Sequence, residues 1–196
     1  MTEGPFKNKS LQPATPDTSA QQEGLDVKIE IAKPEDWEDY KKIRVEAITK
    51  DPEVFGKYFK HEAQVEKNRS DQEWKDDLGN SIIVLSRNGS RVIGVVKGAQ
   101  EGEIWKIYSV YLNADFQKRG IAGQMLQVVL DEEKKRGAHK IRLWVLSRRK
   151  NAINLYKKFG FKKINPIKAL PMTNYNPKYF TEWQIMELDL TTQDNQ

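Results

Sequence analysis

The residues whose types and spacing suggest chemistry lie in one short stretch, DFQKRGIAGQML, over residues 115–126. Its three small residues, Gly120, Ala122 and Gly123, open a helical pattern and follow a lysine and an arginine. Consecutive backbone N–H groups at a helix N-terminus form an anion site when no side chains cover them, and the helix dipole favours negative charge there. The stretch therefore has two interpretations: a glycine-rich turn without a ligand, or a cradle for a phosphate group.

The sequence around this stretch favours the cradle. A strand-like run, EIWKIYSVYL, precedes it at 103–112, and a helix pattern follows at 120–136. A phosphate loop requires this strand-to-helix setting. The stretch has neither the Gly-Lys-Ser/Thr ending of one common nucleotide loop nor the Gly-x-Gly-x-x-Gly of another. A third type of cradle is therefore needed.

The remaining patterns predict the elements that position this stretch. Ser70 and Glu73 form a capping box that starts a helix over 70–78. Alternating and buried apolar runs predict strands at 27–32, 81–86, 91–99, 103–112, 140–146, 161–164 and 182–190, with further helices after Pro34 and at 151–159. This order predicts an α/β protein of mixed α+β type, whose sheet is antiparallel in its N-terminal part and has a parallel crossover near the middle.

Composition limits the class of protein. The chain of 196 residues carries a net charge of +5, has no cysteine, and has no apolar run near the roughly 20 residues of a membrane span. We expect one domain at 27–190 between disordered tails at 1–26 and 191–196, a cytoplasmic location, and no membrane partner. His61 and His139 stand alone without ligand spacing, so we expect no metal site.

Two segments carry a family resemblance. The stretch from Gln117 to Ala122 and the segment NAINLYKKFGF from Asn151 to Phe161 resemble the GNAT superfamily of acyl-CoA-dependent N-acetyltransferases. The resemblance extends in element order over about 27–190. It implies a central mixed sheet of six or seven strands flanked by about four helices. It also implies that the sheet is splayed between the strand ending at 112 and the strand starting near 140.

The resemblance also implies a set of site residues. Backbone N–H groups of 117–122 would hold the diphosphate of coenzyme A (CoA), and the splayed strand would pair with its pantetheine arm. Tyr156 would protonate the departing thiolate. Arg149 stands where the family usually has a CoA-contacting Asn, so either Asn151 substitutes for it or Arg149 reaches a CoA phosphate. The implied cofactor-binding residues are Val110, Tyr111, Leu112, Gln117, Lys118, Arg119, Gly120, Ile121, Ala122, Gly123 and Asn151.

The general base is not readable from the sequence. The position at which several relatives carry a Glu is Lys106 here, which cannot accept a proton while it is charged. By strand parity Glu103 lies on the wrong face, and Tyr108 lies on the better face but is a weak base. We expect a water relay or an amine that arrives neutral. The Val110 N–H is expected to polarise the thioester carbonyl.

These implications predict an acetyltransferase that moves an acetyl group from acetyl-CoA to a primary amine, on a small molecule or a protein. The alternatives are a non-catalytic acyl-CoA sensor and a nucleic-acid-binding module; the second has only the positive charge of the folded part in its favour. We expect the helices before 80, the connection at 56–70 and the loop at 165–180 to set the acceptor, with Trp105 lining its pocket. The protein is expected to be a monomer, or a homodimer in which strand 182–190 pairs between copies.

Overall fold

The computed structural model of the protein describes residues 26–55, 60–164 and 182–191, and the side chains in these ranges apart from those of residues 55 and 60–63. Most of both predicted tails, and the loop at 165–180, lie outside these residues. The described strands are β1 (Val27–Ile31), β2 (Ile82–Asn88), β3 (Arg91–Glu101), β4 (Ile104–Leu112), β5 (Lys140–Leu146), β6 (Lys162–Ile164) and β7 (Trp183–Asp189). The described α-helices are α1 (Trp37–Lys50), α2 (Pro52–Phe55), α3 (Lys60–Lys67), α4 (Asp71–Asn80), α5 (Ile121–Lys135) and α6 (Lys150–Lys158).

The seven strands form one sheet in the order β1-β2-β3-β4-β5-β7-β6. Only the β4–β5 pair is parallel, and the other neighbours run antiparallel. The mixed sheet with its central parallel crossover is confirmed. The expectation that strand 182–190 is free to pair in a dimer is wrong, because β7 lies between β5 and β6 and both of its edges are already paired.

Helices cover both faces of the sheet. On the face that we call the α5 face, α5 and α6 pack on apolar side chains of β2–β5 and β7, including the buried Ile107 and Ile141. On the opposite face, the α1 face, α1 and α4 pack on β2 and β3 through Tyr40, Trp74 and neighbouring residues. The rings of Tyr40 and Trp74 meet edge-on, with their centroids 5.2 Å apart. The sheet is thus the middle layer of three.

The helices agree with the sequence patterns, with two additions. The capping box is present, since the Glu73 N–H donates to Ser70 Oγ at 3.3 Å and the Ser70 N–H donates to Glu73 Oε2 at 2.7 Å. The short helix α2 precedes the expected connection at 56–70 and α3 lies within it, so the described residues contain six α-helices where about four were expected. In α5 the glutamate at 133 is buried, whereas its neighbour Glu132 pairs with Arg136. Among the described residues, no helix combines the length and apolar character that a membrane span needs.

Candidate active site

The sheet forks between β4 and β5. Their parallel pairing joins Trp105, Lys106 and Ile107 of β4 to residues 141–143 of β5, and it ends there. Beyond Ile107, β4 continues for five residues and stays paired with β3. The sequence-based expectation of a splay between these two strands is confirmed. The fork leaves main-chain groups on the inner edge of β4 without a strand partner from β5.

A bulge in β4 lies just beyond the start of the fork. Ser109 and Val110 together oppose Val96, because the β3–β4 register shifts between Val95 and Lys97. Ser109 has a φ of +57°, in the left-handed region that L-residues rarely adopt. The extra residue reverses which face each later side chain occupies. Val110 consequently packs with the α5 face, while Tyr111 packs with the α1 face.

The turn between β4 and α5 is held by its own polar groups. Asn113 is buried; its side-chain oxygen accepts from the Asp115 N–H at 3.2 Å, and its Nδ2 donates to Glu46 of α1 at 2.9 Å. The Gln117 side chain donates to the Leu112 carbonyl at 3.0 Å, and its N–H donates to the Ala114 carbonyl at 3.2 Å. The Gln117 N–H, which was expected in the cradle, therefore already has an acceptor within the turn.

Left-handed backbone at two positions brings the chain into α5. Lys118 has a φ of +62°, and Gly120, the N-cap of α5, has a φ of +81°. A Cβ added at Gly120 would meet nothing within 4 Å, so open space lies in front of this backbone. The first intrahelical bond runs from the Gln124 N–H to the Gly120 carbonyl at 3.1 Å. The amides of the first turn, 121–123, consequently have no intrahelical acceptor.

The side chains near these amides have different surroundings. Lys118 and Arg119 are exposed, whereas Ile121 is buried in the α5-face core. A Cβ at Gly123 would lie 3.6 Å from Leu155 Cδ1, so this position faces α6 rather than open space. The two glycines of the stretch therefore have different structural roles. Gly120 allows the open turn before α5, and Gly123 allows α5 to pack closely against α6.

A cavity of about 1240 Å³ fills the fork. Trp144 and Trp183 contribute to its wall, while Trp105 is buried in the α5-face core. The expectation that Trp105 lines an acceptor pocket is thus not met, because its position on β4 places it under the helices. The cavity is lined by residues 106–112, 117, 118, 120–123, 143–146 and 148–152, by Leu155, Tyr156 and Trp183, by Arg44, Val54 and Glu66 of α1, α2 and α3, and by Asp51 between α1 and α2.

Tyr156 of α6 projects into the α5-face core and borders this cavity. Its side chain is 5% exposed, and its ring meets that of Phe161 edge-on at 6.0 Å between centroids. Burial alone raises the pKa of the Tyr156 phenol. Its hydroxyl has no hydrogen-bond partner among the described residues. Tyr156 is therefore a protonated phenol at neutral pH that has its donor capacity available to a molecule in the cavity.

Two ion pairs join α2 and the residue before it to the turn between β5 and α6. Arg149 donates to Asp51 Oδ1 at 2.5 Å, and Arg148 Nη2 lies 3.0 Å from Glu53 Oε2. Arg149, the residue at the expected Asn position, is thus engaged by a carboxylate. Asn151 is exposed in the first turn of α6 and lines the cavity.

Two further charged groups at the cavity, Arg44 and Lys106, are also paired. Arg44 of α1 holds Glu66 of α3 in a two-bond contact, with Nε–Oε1 and Nη2–Oε2 distances of 2.8 and 2.5 Å. Lys106 makes an ion pair with Glu101, and its ammonium lies 5.2 Å from the centroid of the Trp144 ring. His139 is exposed, and the side chain of His61 lies outside the described residues.

Comparison with known proteins agrees with this geometry. Residues 37–161 match the acetyltransferase (GNAT) family. The chain belongs to the GNAT family. Within this family, it is 30% identical over 74 residues to an uncharacterized N-acetyltransferase of Methanocaldococcus jannaschii, an alignment that covers 38% of this chain and 33% of that relative. The chain thus spans about a third of the length of this curated relative.

Solved structures share the GNAT fold of the chain. The PaiA N-acetyltransferase of Thermoplasma acidophilum, in complex with coenzyme A, superposes with a TM-score of 0.63 at 16% identity, covering 84% of this chain and 99% of that one. The acetyltransferase YncA of Salmonella typhimurium, with its cofactor acetyl-CoA, superposes with a TM-score of 0.62 at 14% identity, covering 84% and 94%. At these identities the likeness concerns the fold.

Proposed function

We propose that this chain transfers an acetyl group from acetyl-CoA to a primary amine by direct attack of the amine on the thioester. The observation that carries the proposal is the fork. β4 and β5 separate after Ile107, and a cavity connects the bare first turn of α5 to both faces of the sheet. A long, thin substrate arm with an anionic end matches such a channel.

The start of α5 suits the anionic end of the CoA. The open backbone at Gly120 and the free amides of 121–123 would bind the diphosphate, where the helix dipole favours negative charge. The exposed side chains of Lys118 and Arg119 would add positive charge beside it. Asn151 and Lys150, at the start of α6, lie on the same cavity wall.

The inner edge of β4 suits the pantetheine arm. From Val110 to Leu112 this edge has no partner from β5, so its main-chain groups, apart from the Leu112 carbonyl that accepts from Gln117, are available to an extended amide-bearing chain. The Val110 N–H, in the bulge close to the start of the fork, would polarise the acetyl carbonyl as its oxygen gains charge. Tyr156 would give its proton to the departing thiolate.

The proposal is tested by binding and turnover together. Acetyl-CoA is titrated by calorimetry, and thiol release is followed with four amines: propylamine, spermidine, a peptide with a free N-terminal alanine, and an N-terminally blocked peptide with one lysine. We expect heat on titration and thiol release with at least one amine. Absence of acetyl-CoA binding would contradict the proposal. Binding without thiol release from any of the four would instead favour a non-catalytic acyl-CoA sensor.

A matched pair of glycine variants tests the cradle. Gly120 and Gly137 lie at opposite ends of α5, both with positive φ (+81° and +86°) and both with open space at the Cβ position. Alanine at either position costs about 1 kcal/mol of backbone strain. We expect Gly120→Ala to weaken acetyl-CoA binding roughly tenfold and Gly137→Ala to leave the affinity unchanged. Equal affinities in the two variants would contradict the placement of the diphosphate.

A further inference from the structure

A glutamate, a lysine and a tyrosine form a hydrogen-bonded cluster where the fork begins. The Tyr108 hydroxyl donates to Glu101 Oε1, and the Lys106 ammonium contacts Glu101 Oε2. Both oxygens of one carboxylate are thus engaged by neighbours from β4. Tyr108 and Lys106 line the cavity, and the Glu101 side chain is 52% exposed at the end of β3.

The strand register places this cluster on the α1 face. Tyr108 lies opposite Lys97 of β3, and the Lys97 ammonium is 2.6 Å from Asp77 of α4. Tyr108 also follows Ile107, the last β4 residue paired with β5, so it stands at the first open position of the fork. Tyr156 reaches the same cavity from the α5 face. A thioester in the fork would therefore have a phenol from each face of the sheet.

Charge around the cluster keeps the Glu101 carboxylate ionised, with oxygens that can accept a proton. Burial alone would raise the pKa of Glu101, but hydrogen bonds from Lys106 and Tyr108 bring this pKa below its ordinary value, so the carboxylate is ionised at neutral pH. Burial and the Glu101 carboxylate raise the pKa of Tyr108, so its phenol stays protonated. Other charged groups nearby are Lys97, paired with Asp77, and the Arg44–Glu66 pair on the helical wall.

We propose that Tyr108 relays a proton from the acceptor amine to Glu101. This proposal rests on the acetyltransferase function proposed above. The acceptor arrives as an ammonium ion, and one of its N–H bonds breaks as the proton moves to the Tyr108 oxygen, which leaves a neutral nitrogen that can attack the acetyl carbon. The proton of Tyr108 moves at the same time to the Glu101 carboxylate, which becomes a neutral acid.

The proton balance closes over one turnover. The neutral nitrogen then bonds to the acetyl carbon and releases its second proton to solvent, the carbon–sulfur bond breaks, and the thiolate takes a proton from Tyr156 on the other face. Glu101 returns its proton to water through its exposed side, and solvent reprotonates Tyr156. A tyrosine that is a weak base on its own suits this role, because it passes on one proton as it receives another and never carries a full negative charge. Tyr108 is thus assigned as a catalytic residue and Glu101 as its proton acceptor.

The test compares an amine that needs a base with one that does not. Hydroxylamine is largely neutral at neutral pH, whereas the fastest of the four amines above arrives as an ammonium ion. Thiol release is measured with both amines for the wild type, Tyr108→Phe and Glu101→Gln. The control is Glu103→Gln, an exposed glutamate in the turn before β4.

We expect Tyr108→Phe and Glu101→Gln to slow the cationic amine roughly 100-fold or more, and to slow hydroxylamine only slightly. Glu103→Gln is expected to match the wild type with both amines. Equal slowing with both amines would show a merely structural role, and no slowing would show that the relay is not used; either result overturns the proposal. A wild type that binds acetyl-CoA but releases no thiol with any amine overturns the proposed function, and this proposal with it.

Discussion

Glu133 of α5 and Tyr156 of α6 are buried on the same face of the sheet, but only Tyr156 borders the cavity. In both residues burial raises the pKa, to about 8 for Glu133. Both Glu133 oxygens are buried without a hydrogen-bond partner in the described part of the chain, close to Gly98 of β3. The Tyr156 side chain instead borders the cavity in the fork between β4 and β5. The comparison shows that a shifted pKa reports burial, and that access for a substrate decides whether the group can take part in a reaction.

The largest expected effect comes from removing the hydroxyl of Tyr156. We expect Tyr156→Phe to lower kcat roughly 100- to 10,000-fold, since no other group on the α5 face is assigned to protonate the thiolate. Stability is expected to change little, because the hydroxyl has no protein partner among the described residues. Thiol-release kinetics and thermal unfolding measure the two effects. Full activity in this variant would show that Tyr156, like Glu133, takes no part in the reaction.

A smaller effect, on stability alone, is expected from Glu133. Its folded-state pKa of about 8 lies above the ordinary 4.5. The stability that proton binding contributes is therefore fully present below about pH 4.5 and is lost as the pH rises through about 8. Glu133→Met removes the titration while keeping a side chain of similar size. We expect it to raise the free energy of unfolding near pH 7.5 by about 2 to 3 kcal/mol.

Denaturant unfolding at several pH values measures this change. The wild type is expected to lose stability between about pH 5 and 8, and the Glu133→Met variant to lose much less over this interval, with unchanged acetyl-CoA turnover. Glu132→Gln, next to it on α5, serves as the control because Glu132 already pairs with Arg136 at the surface. A pH profile of Glu133→Met that matches the wild type would show that Glu133 is ionised or solvated in the folded protein.

The smallest expected effects come from two glycine variants, one at Gly98 beside Glu133 and one at Gly123 beside α6. A Cβ at Gly98 would lie 2.5 Å from Glu133 Oε1 and 2.7 Å from Val129 Cγ2, whereas a Cβ at Gly123 meets Leu155 at an ordinary 3.6 Å. We expect Gly98→Ala to cost about 1 to 2 kcal/mol. Gly123→Ala is expected to be neutral or stabilising by up to about 1 kcal/mol, because alanine favours a helix. Similar thermal shifts in both variants would contradict the tight packing of α5 over β3.

The sequence predicted the positions of the strands and helices better than the side-chain contacts of the site. Hydrophobic runs and the Ser70 capping box placed most strands and helices to within a few residues, and β5 was predicted with the bounds it has. These signals are local, so a single sequence carries them. The splay between β4 and β5 came from the family resemblance, since nothing in the strand patterns indicates where a pairing stops.

The errors come from contacts between distant residues. Parity counting along β4 was applied only as far as Tyr108, and the bulge at Ser109 and Val110 reverses the parity of the residues beyond it. Trp105 was assigned to the acceptor pocket for its aromatic side chain, although its position directs it into the core. The Tyr108–Glu101 contact joins two strands, and the burial of Glu133 depends on the small residue that faces it. No local sequence pattern predicts either the Tyr108–Glu101 contact or the burial of Glu133.

The proposed reaction requires the pantetheine arm of acetyl-CoA to enter the fork between β4 and β5. A crystal structure of the protein with acetyl-CoA bound tests this most directly. We expect the diphosphate on the amides of 121–123, the pantetheine along Val110 to Leu112, and the thioester sulfur within hydrogen-bond reach of the Tyr156 hydroxyl. Acetyl-CoA bound outside the fork, or β4 and β5 paired continuously beyond Ile107 and Leu143, would contradict the account.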